Sequence, residues 1–496
     1  MSNQTSSSTS TSSSKLQVSI RMYRPGLGDC FLLKFKKGSI FRNVLIDCGV
    51  LQKTAGEKER LEKIIKDIRI TTRGRLHVLA VTHEHADHLS GFVFHESLFQ
   101  KKFKINQVWM PWTENKDDPD VKETFRAYWK IAAETLDIAI EELKKKGEQY
   151  ESYQELQDFL TPGSMDVVKG WGNKQLYLAP QPDLNGPTTV LPLEGLDDVL
   201  VHVLAPPKDL QALKRSDPPK TKNQLDRGQA VNQSTAFTTA VLQLGNRTQN
   251  GRLPEGLTKS DLKELVNLSL PFDTSLGFPM DDVSQDPAQV FFHNYYGTDT
   301  SPNPELDWRR IDTDWLGGAG SLALDLDNDI NNTSLVLAFE LLPNKKILLF
   351  AADAQYGNWK SWTGSPTGKD ILNRTTFYKV GHHGSHNATQ LEGGLLAMNA
   401  DDLIAMIPVD IEKAKSKNWK MPASILAQLL QQRTKGRIIT NIEEPSGSGP
   451  DPTVSPRIPD MPKGNLISND LWTAFIEAIK FDDSPDHLWI EYTLIS

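Results

Sequence analysis

A run of metal-binding residue types, placed directly after a short apolar strand, constrains this chain more than any other feature. The strand is Val78–Val81, and the run after it supplies four potential ligands, His83, His85, Asp87 and His88. Imidazole and carboxylate groups suit Zn, Mn or Fe. A turn can direct His83 and His85 to one metal, and the other two ligands to a second metal on the far side. The spacing predicts one or two divalent metals, and a pair ~3.5–4 Å apart would activate a water.

A second histidine cluster, Gly381–His386, also follows an apolar strand. Six of the eleven histidines fall in the two clusters, an arrangement that chance would rarely produce. Asp353 ends another apolar strand between the clusters, so it is a natural bridging ligand; the alternative is an aspartate that caps a turn or helix. Asp47 also ends an apolar strand. We expect Asp47 to accept a hydrogen bond from a ligand histidine or from its loop.

Short apolar strands alternate with helices along much of the sequence. Helical spacing of apolar residues predicts helices over Glu57–Ile68 and Pro422–Arg433. Strands are predicted at Val18–Met22, Cys30–Phe35, Val44–Ile46, Val78–Val81, Leu176–Leu178, Val199–Leu204, Thr333–Glu340, Lys346–Ala351, Thr376–Val380, Leu403–Ile407, Arg437–Thr440 and His487–Leu494. This alternation predicts a layered α/β fold with a buried sheet. Catalytic groups in such folds gather on loops at strand ends, where both histidine clusters stand.

Five segments together resemble one branch of the metallo-β-lactamase superfamily, the hydrolase domain of ComEC-type DNA-uptake proteins and its free-standing relatives. His83–His88 matches the superfamily's HxHxDH signature. Gly26–Cys30 precedes this signature in the chain, and three further segments follow it: Asn331–Leu337, Leu348–Ala354 and Lys379–Ser385. All five stand in the family's order. The resemblance covers residues 16–95 and 331–445. It implies an α/β fold, the metallo-β-lactamase αββα sandwich, with a large insertion between the HxHxDH motif and the bridging aspartate.

The resemblance also implies roles for individual residues. The family's metal ligands correspond to His83, His85, Asp87, His88 and Asp353. One histidine of the His-His-Gly-Ser motif closes the second metal site; we favour His383 over His382 and expect the other to face the substrate. The expected catalytic residues are Asp87, His382 and His383. Supporting contacts around the metals or the substrate are expected from Asp29, Asp47, Ser385 and His386.

Two positions depart from the family's pattern. Many members complete the first metal site with a further histidine, where this chain has Ala205. His202 and His293 are available, but we expect both to be structural. The His-Pro pair that often follows the last motif reads Met421-Pro422 here. With Ala205 in place of the histidine, the first metal would have fewer protein ligands, or only one metal would be held tightly. With Met421 before Pro422, a histidine on the substrate side would be missing.

The length of 496 residues predicts two or three domains, or one domain with large insertions. We divide the chain into a disordered Ser/Thr-rich tail (1–15), the first half of the core (16–95), a helical and irregular insertion (96–330), and the second half of the core with a C-terminal extension (331–496). Further predictions are helices Asp117–Lys146 and Lys259–Asn267, strand Phe237–Leu244 and loop Glu443–Pro462.

Composition narrows the expected compartment and partners. The formal charge of −8 argues against a surface that binds nucleic acid through bulk positive charge, although a bound metal would supply local positive charge. Cys30 and Cys48 cannot staple a chain of this size, so we expect free, buried thiols and a reducing compartment. The N-terminus lacks the pattern of a secretory signal, and no apolar run approaches the ~18–20 residues of a membrane helix. We expect a cytoplasmic protein.

Three functions fit these residues. The leading hypothesis is a metal-dependent phosphodiesterase or nuclease that uses a metal-activated water, with DNA or another phosphodiester as substrate and Zn or Mn as the metal. The second is a hydrolase of a small phosphoester, ester or thioester, suggested by the acidic charge because an unspecific nuclease gains affinity from a basic groove. The third is a gated enzyme whose long insertion covers the site or docks a protein partner.

Overall fold

The computed structural model describes residues 15–51, 54–119, 164–181, 188–213, 326–416, 419–441 and 467–495, together with a few isolated positions between them. The predicted helices Asp117–Lys146 and Lys259–Asn267, the strand Phe237–Leu244, the loop Glu443–Pro462, the Ser/Thr tail and His293 lie wholly or mostly outside the described residues.

The chain divides into two compact units. Unit 1 comprises residues 1–121, 161–218 and 328–496, and unit 2 comprises residues 122–160 and 219–327. The candidate site residues named above all lie in unit 1. The region that we treated as one insertion, residues 96–330, is therefore divided, because its parts before residue 122 and between 161 and 218 supply strands to the sheets of unit 1.

Fifteen strands are present in the described residues: β1 (Gln17–Tyr23), β2 (Phe31–Lys37), β3 (Ile40–Ile46), β4 (Arg75–Ala80), β5 (Lys104–Pro111), β6 (Lys174–Leu178), β7 (Thr189–Leu193), β8 (Leu196–Ala205), β9 (Val336–Leu341), β10 (Lys346–Phe350), β11 (Thr375–Lys379), β12 (Ile404–Ile407), β13 (Ile438–Thr440), β14 (Ile479–Phe481) and β15 (Trp489–Ile495). Within that part of the chain they form an eight-stranded sheet in the order β14-β15-β1-β2-β3-β4-β5-β6 and a seven-stranded sheet in the order β13-β12-β11-β10-β9-β8-β7.

Each sheet is half antiparallel and half parallel. In the first sheet the antiparallel pairs run from β14 to β3, and β3, β4, β5 and β6 are parallel. In the second sheet the antiparallel pairs run from β7 to β10, and β10, β11, β12 and β13 are parallel. Two mixed sheets with accompanying helices confirm the predicted α/β class.

Nine α-helices have both bounds among the described residues: α1 (Ala55–Thr72), α2 (Ala86–Phe94), α3 (Glu96–Lys102), α4 (Leu210–Leu213), α5 (Tyr356–Thr363), α6 (Pro366–Asn373), α7 (Ile411–Ser416), α8 (Ser424–Thr434) and α9 (Asn469–Glu477). Helix α1 begins with a reciprocal capping box between Thr54 and Glu57. It buries residues at helical spacing, including Leu61, Ile65 and Ile68, as the sequence predicts.

The hydrophobic core consists of three clusters, because each of the two sheets buries both of its faces. Phe31, Leu33 and Phe35 of β2 point into a cluster shared with the second sheet, whereas Leu32 points into a cluster shared with α1 and α2. This alternation is the two-residue period of a strand. A third cluster joins the other face of the second sheet to α5, α6 and α8. The inner faces of the two sheets therefore pack on each other, and helices cover their outer faces.

None of the helices in the described part of the chain combines the length and the apolar character that crossing a membrane requires.

Candidate metal centre

The candidate ligands stand where adjacent parallel strands end. Strands β3 and β4 pair in parallel, with Ile46 opposite Ala80, so that the segments after them, starting at Asp47 and Val81, run side by side. Strands β10 and β11 pair in the same way, with Phe350 opposite Lys379. The HxHxDH run and Asp47 therefore come from the first sheet. Asp353 and the second histidine cluster come from the second.

Helix α2 carries two of the ligands of the HxHxDH run. The residue before the helix, His85, has an extended backbone, and Asp87 and His88 lie in the first turn of the helix. A close approach of the loop after β3 holds this turn, because a Cβ at Gly49 would lie 2.5 Å from the Asp87 carbonyl oxygen. The Cys48 N–H donates to the His88 carbonyl at 2.9 Å. Glycine at position 49 therefore lets the chain after β3 support the ligand helix.

The side chains of both clusters converge in a buried group. Nε2 of His83 lies 3.2 Å from Nδ1 of His85, and Nε2 of His383 lies 2.9 Å from Oδ2 of Asp87. The ligand atoms of His83, His88 and Asp353 lie within 4.8 Å of one another, and so do those of Asp87, Asp353 and His383. Asp353 belongs to both groups. The five predicted ligands and His383 are all buried.

Asp47 orients the ring of His88. Its Oδ2 lies 2.8 Å from His88 Nδ1 and accepts the Thr82 hydroxyl at 2.7 Å, while its Oδ1 accepts the Thr82 backbone N–H at 2.8 Å. A carboxylate can only accept, so His88 donates through Nδ1. The opposite nitrogen, Nε2, is directed at Oδ2 of Asp353 at 3.1 Å and lies 3.7 Å from Oδ2 of Asp87. Such a contact fixes both the tautomer and the direction of a ligand histidine.

His383 is oriented in the same manner by the backbone. Its Nδ1 lies 2.6 Å from the Pro408 carbonyl oxygen, which accepts, so that Nε2 is left to face Asp87. His382, by contrast, has a half-buried ring, and its Nδ1 makes no hydrogen bond within the described part of the chain. The structure thus brings His383, rather than His382, into the group of ligand atoms.

Asp353 is held by the second sheet. Its backbone N–H donates to the Ser334 hydroxyl at 3.2 Å, and its Oδ1 accepts the His382 backbone N–H at 3.0 Å. The Nζ of Lys379 lies 3.5 Å from the same Oδ1 and forms a closer ion pair with Asp29. The two carboxylate oxygens therefore have separate surroundings: Oδ2 faces His88, and Oδ1 faces the chain after β11.

The cluster carries an excess of buried negative charge. Four carboxylates, those of Asp29, Asp47, Asp87 and Asp353, and a single ammonium, that of Lys379, are each at most 3 % exposed. Buried charges need compensation, because removing each ion from water costs several kcal/mol. The surrounding carboxylates favour the positively charged form of two of the histidines, because they raise the pKa of His88 and of His383.

The histidine pKa values divide into two sets. Burial opposes the imidazolium at every position, but the surrounding carboxylates outweigh it at His88 and raise its pKa well above the usual value. Burial is likewise outweighed at His383, whose pKa is raised by Asp87 and Asp29. Burial and neighbouring histidines lower the pKa of His83, and burial lowers that of His85 to about 4. The second pair is thus neutral, the form in which imidazole binds a metal.

The aspartate pKa values follow the same charges. Burial alone would raise the pKa of Asp87 and Asp353, yet His88 with His383 lowers the first, and His88 with Lys379 lowers the second. Burial raises the pKa of Asp47 because the contacts with His88 and Thr82 offset it only in part. The two carboxylates among the ligand groups are ionised, as metal ligands must be.

This donor set fits a divalent cation. His88 has a carboxylate at each ring nitrogen, an arrangement that needs a second proton on the ring or a cation in its place. Asp87 also has a buried oxygen, Oδ1, that accepts no hydrogen bond from the described residues. Imidazole and carboxylate are both groups that bind divalent cations in proteins. The buried histidines and aspartates could therefore hold a metal ion.

Left-handed backbone concentrates around these residues. Asp47, Ala352, His382 and His383 all have φ between 45° and 55°, a region that residues other than glycine rarely adopt. Such conformations store about 1–3 kcal/mol each and persist where the surrounding structure enforces them, often at functional sites. In His382 and His383 they direct two neighbouring rings differently, one into the buried group and one towards its edge.

The remaining predicted residues have simpler surroundings. Oδ2 of Asp29 lies 3.9 Å from Nδ1 of His88, behind the ligand groups. Ser385 is buried and donates to Asn387 at 2.8 Å, whereas His386 is exposed. His202 is structural, as expected, because its Nε2 contacts Glu340 at 2.7 Å on neighbouring strands.

Ala205 and Lys379 are two further residues near the candidate ligands. Ala205, at the end of β8, is buried and offers no ligand atom. Lys379 is not among the predicted site residues, although its charge at the end of the otherwise uncharged strand Thr375–Lys379 was the available signal. Thr82 and Ser334, which contact Asp47 and Asp353, are not among them either.

Searches against protein-family models and against curated proteins find no match to this chain.

Proposed function

We propose that this chain is a metal-dependent hydrolase of the metallo-β-lactamase fold, related to the ComEC-type branch, and that it cleaves phosphodiesters, with DNA as the leading substrate. The observation that carries the proposal is the sharing of Asp353 between two buried ligand groups, each with a histidine of its own. A carboxylate so placed can bridge two metals, and two-metal sites are typical of enzymes that cleave phosphodiesters.

The architecture supports the fold assignment. Two mixed sheets pack face to face, helices cover both outer faces, and the ligands follow the ends of parallel strands in both sheets. The HxHxDH residues belong to the first sheet, and Asp353 with the His-His-Gly-Ser motif belongs to the second. These features support the αββα arrangement that the sequence resemblance implies.

Each protein group has a defined task in the proposed reaction, in which a water oxygen bonds to phosphorus and an ester oxygen leaves. Asp47 and the Pro408 carbonyl orient His88 and His383. Burial of the ligand groups excludes bulk water and strengthens electrostatic contacts. The half-buried ring of His382, at the edge of the group, is placed to contact the leaving group. The chemistry that divalent ions supply when bound is activation of the water and compensation of the charge developing on phosphorus-bound oxygens.

Zn or Mn is the proposed metal. Histidine nitrogen favours Zn among the common divalent ions, whereas the high proportion of carboxylate suits Mn. Neither cysteine belongs to a ligand group formed by the described residues, so thiolate does not select between them. Metal analysis of the purified protein would identify the bound ion.

The test compares the wild-type protein with Asp87→Asn, which keeps the size of the side chain but removes its charge. Plasmid and single-stranded DNA are incubated with each protein and Mn²⁺ or Zn²⁺. We expect cleavage by the wild type and a loss of about a hundredfold in the variant, since it removes the negative charge of a proposed metal ligand. The control is Asp198→Asn, which alters a partly exposed ion pair with Lys37. Activity retained by a folded Asp87→Asn protein refutes the assignment.

A small phosphoester, ester or thioester is the second candidate substrate class. The net charge of −8 favours this class, because DNA gains affinity from positive charge. Lys379 favours it too, because its ammonium is already paired with Asp29 and Asp353 and is not available to a DNA phosphate. A panel of p-nitrophenyl phosphate, bis-p-nitrophenyl phosphate and p-nitrophenyl acetate separates these classes. Turnover of the monoester or acetate without DNA cleavage would select this candidate.

Regulation by unit 2 is the remaining proposal. This unit is formed by chain segments 122–160 and 219–327, which lie between the two halves of the ligand set in sequence. A separate unit of this kind could bind a partner protein or control access. Limited proteolysis that switches on an inert protein would support gating, and an active intact protein would oppose it.

A further inference from the structure

Lys379 is a charged residue in a strand that is otherwise built for the core. It is the last residue of β11, in which every residue is buried, and is itself 2 % exposed. An ammonium group in such a place is stable only when it is paired and hydrogen-bonded. Its Nζ contacts Asp29 in a close ion pair, the Ala352 carbonyl oxygen at 3.2 Å and Asp353 Oδ1 at 3.5 Å.

These contacts connect the two sheets behind the ligand groups. Asp29 precedes β2 in the first sheet, and its backbone N–H donates to the Asp87 carbonyl at 2.9 Å. Asp353 follows β10 in the second sheet. Lys379 therefore joins the carboxylate next to one ligand segment to the carboxylate that both ligand groups share. Lysine reaches both because its ammonium donates in three directions.

The contacts also divide the two oxygens of Asp353. Lys379 and the His382 backbone N–H, at 3.0 Å, hold Oδ1, whereas Oδ2 faces Nε2 of His88 at 3.1 Å. A carboxylate without such an anchor could rotate and offer either oxygen, or both, to a cation.

We propose that Lys379 is a positioning residue that anchors Oδ1 of Asp353, so that Oδ2 alone is presented to the metals, and that fixes this carboxylate to Asp29 across the two sheets. The inference rests on the proposed metal site. It predicts a change in cation affinity that is opposite to the electrostatic expectation. Removal of a positive charge beside the ligands should by itself strengthen cation binding. If positioning dominates, the same removal weakens it.

The experiment uses Lys379→Met in the full-length protein, because methionine replaces the charged end with an apolar chain of similar length. Mn²⁺ is titrated into metal-depleted protein by calorimetry, and bound metal per chain is measured. We expect the dissociation constant to rise about ten- to a hundredfold, as for other contacts that orient metal ligands. Lys34→Met is the matched control: it removes another ion pair, with Glu491 at 2.9 Å, and should leave Mn²⁺ affinity unchanged. Unchanged or tighter Mn²⁺ binding by folded Lys379→Met overturns the proposal.

A double variant covers the case in which Lys379→Met does not fold. Lys379→Met with Asp29→Asn removes the ammonium together with one carboxylate that it neutralises, so the charge at this place is unchanged. We expect this protein to fold and still to bind Mn²⁺ weakly, since Asp353 has lost its anchor; wild-type affinity would overturn the proposal. Wild-type protein that binds neither Mn²⁺ nor Zn²⁺ would refute both this inference and the metal-hydrolase function, whereas intact hydrolysis with normal binding by Lys379→Met would refute only this inference.

Discussion

Replacement of Asp47 by asparagine tests how far metal binding depends on the orientation of His88, because His88 itself stays in place. Asp47 binds no metal in the proposed site, but its carboxylate accepts hydrogen bonds from the Thr82 backbone, the Thr82 hydroxyl and His88. Its φ of 55° lies in the left-handed region, which asparagine tolerates better than alanine does. Asp47→Asn therefore keeps the size and the backbone of the wild type and changes one acceptor into a donor.

The structure specifies which oxygen matters. Oδ2 serves both His88 Nδ1 and the Thr82 hydroxyl, so an amide nitrogen in its place would require His88 Nδ1 to accept. The ring proton would then move to Nε2, which faces Asp353 and is the nitrogen proposed to bind metal. We expect metal affinity to fall about ten- to a hundredfold, equivalent to about 1.4–2.7 kcal/mol. The loss of one charge-assisted hydrogen bond should lower the free energy of unfolding by about 1.5–3 kcal/mol.

Two measurements test this reasoning. Urea denaturation in the presence of a chelator gives the stability of the metal-free protein, and Mn²⁺ titration by calorimetry gives the affinity. Asp198→Asn is the control, because its ion pair with Lys37 is partly exposed and such pairs contribute at most about 1 kcal/mol. Wild-type Mn²⁺ affinity in folded Asp47→Asn would show that His88 does not depend on Asp47 for its tautomer, and the reasoning would fail.

Three further predictions concern the fold around the site. Phe350→Ala should lower the free energy of unfolding by about 3–5 kcal/mol, because the ring packs in the inter-sheet core with its centroid 5.8 Å from that of Phe31. A loss under about 1 kcal/mol in urea denaturation would contradict this packing. Thr54→Ala should lower it by about 1 kcal/mol through loss of the α1 cap, and Thr54→Ser should not. Burial lowers the pKa of His77 to about 4, so its NMR signals should titrate there rather than near 6.5. Because the pKa of the folded state lies below that of the unfolded state, the contribution of His77 to stability is full above pH 6.5 and is lost progressively as the pH falls from 6.5 to about 4.

The elements that the sequence predicts best are those with an uninterrupted apolar pattern. The last three residues of strand β4 and the last four of strand β10 are apolar runs, and α1 has a clear helical period with caps at both ends. Strand β7 escaped prediction because it contains Pro192, which removes a hydrogen-bond donor and is tolerated mainly in edge strands. In the described part of the chain β7 lies at an edge of its sheet.

The tryptophans near the site show a limit of another kind. Trp359 and Trp362 follow Asp353 closely in sequence, and this proximity alone would suggest that they line the candidate site. Both are buried in the cluster between the second sheet and its helices, with ring centroids 5.2 Å apart. The Trp359 indole N–H donates to the Ala354 and Ala388 carbonyls, each at 3.0 Å. Proximity in sequence cannot reveal which face of α5 turns towards the core.

The candidate ligands were predictable because their chemistry is local. His83, His85, Asp87 and His88 form one short motif, and the motif's composition alone indicates a metal. The anchoring of Asp353 by Lys379 was not predictable, because it depends on a carboxylate from the first sheet that lies 350 residues earlier in the chain. Pair contacts of that separation follow from the packing of sheets rather than from any sequence period.

The origin of the ligands in two sheets has a consequence for the newly made protein. His88 and Asp353 are 265 residues apart, so at ~5–20 residues per second the aspartate leaves the ribosome roughly 13–53 s after the histidine. During that interval the nascent chain carries only the HxHxDH half of the ligand set. In the proposed metal site, an ion that met the growing chain would therefore find only part of its ligands. The complete ligand set would select the metal only after the second half of the chain has been made.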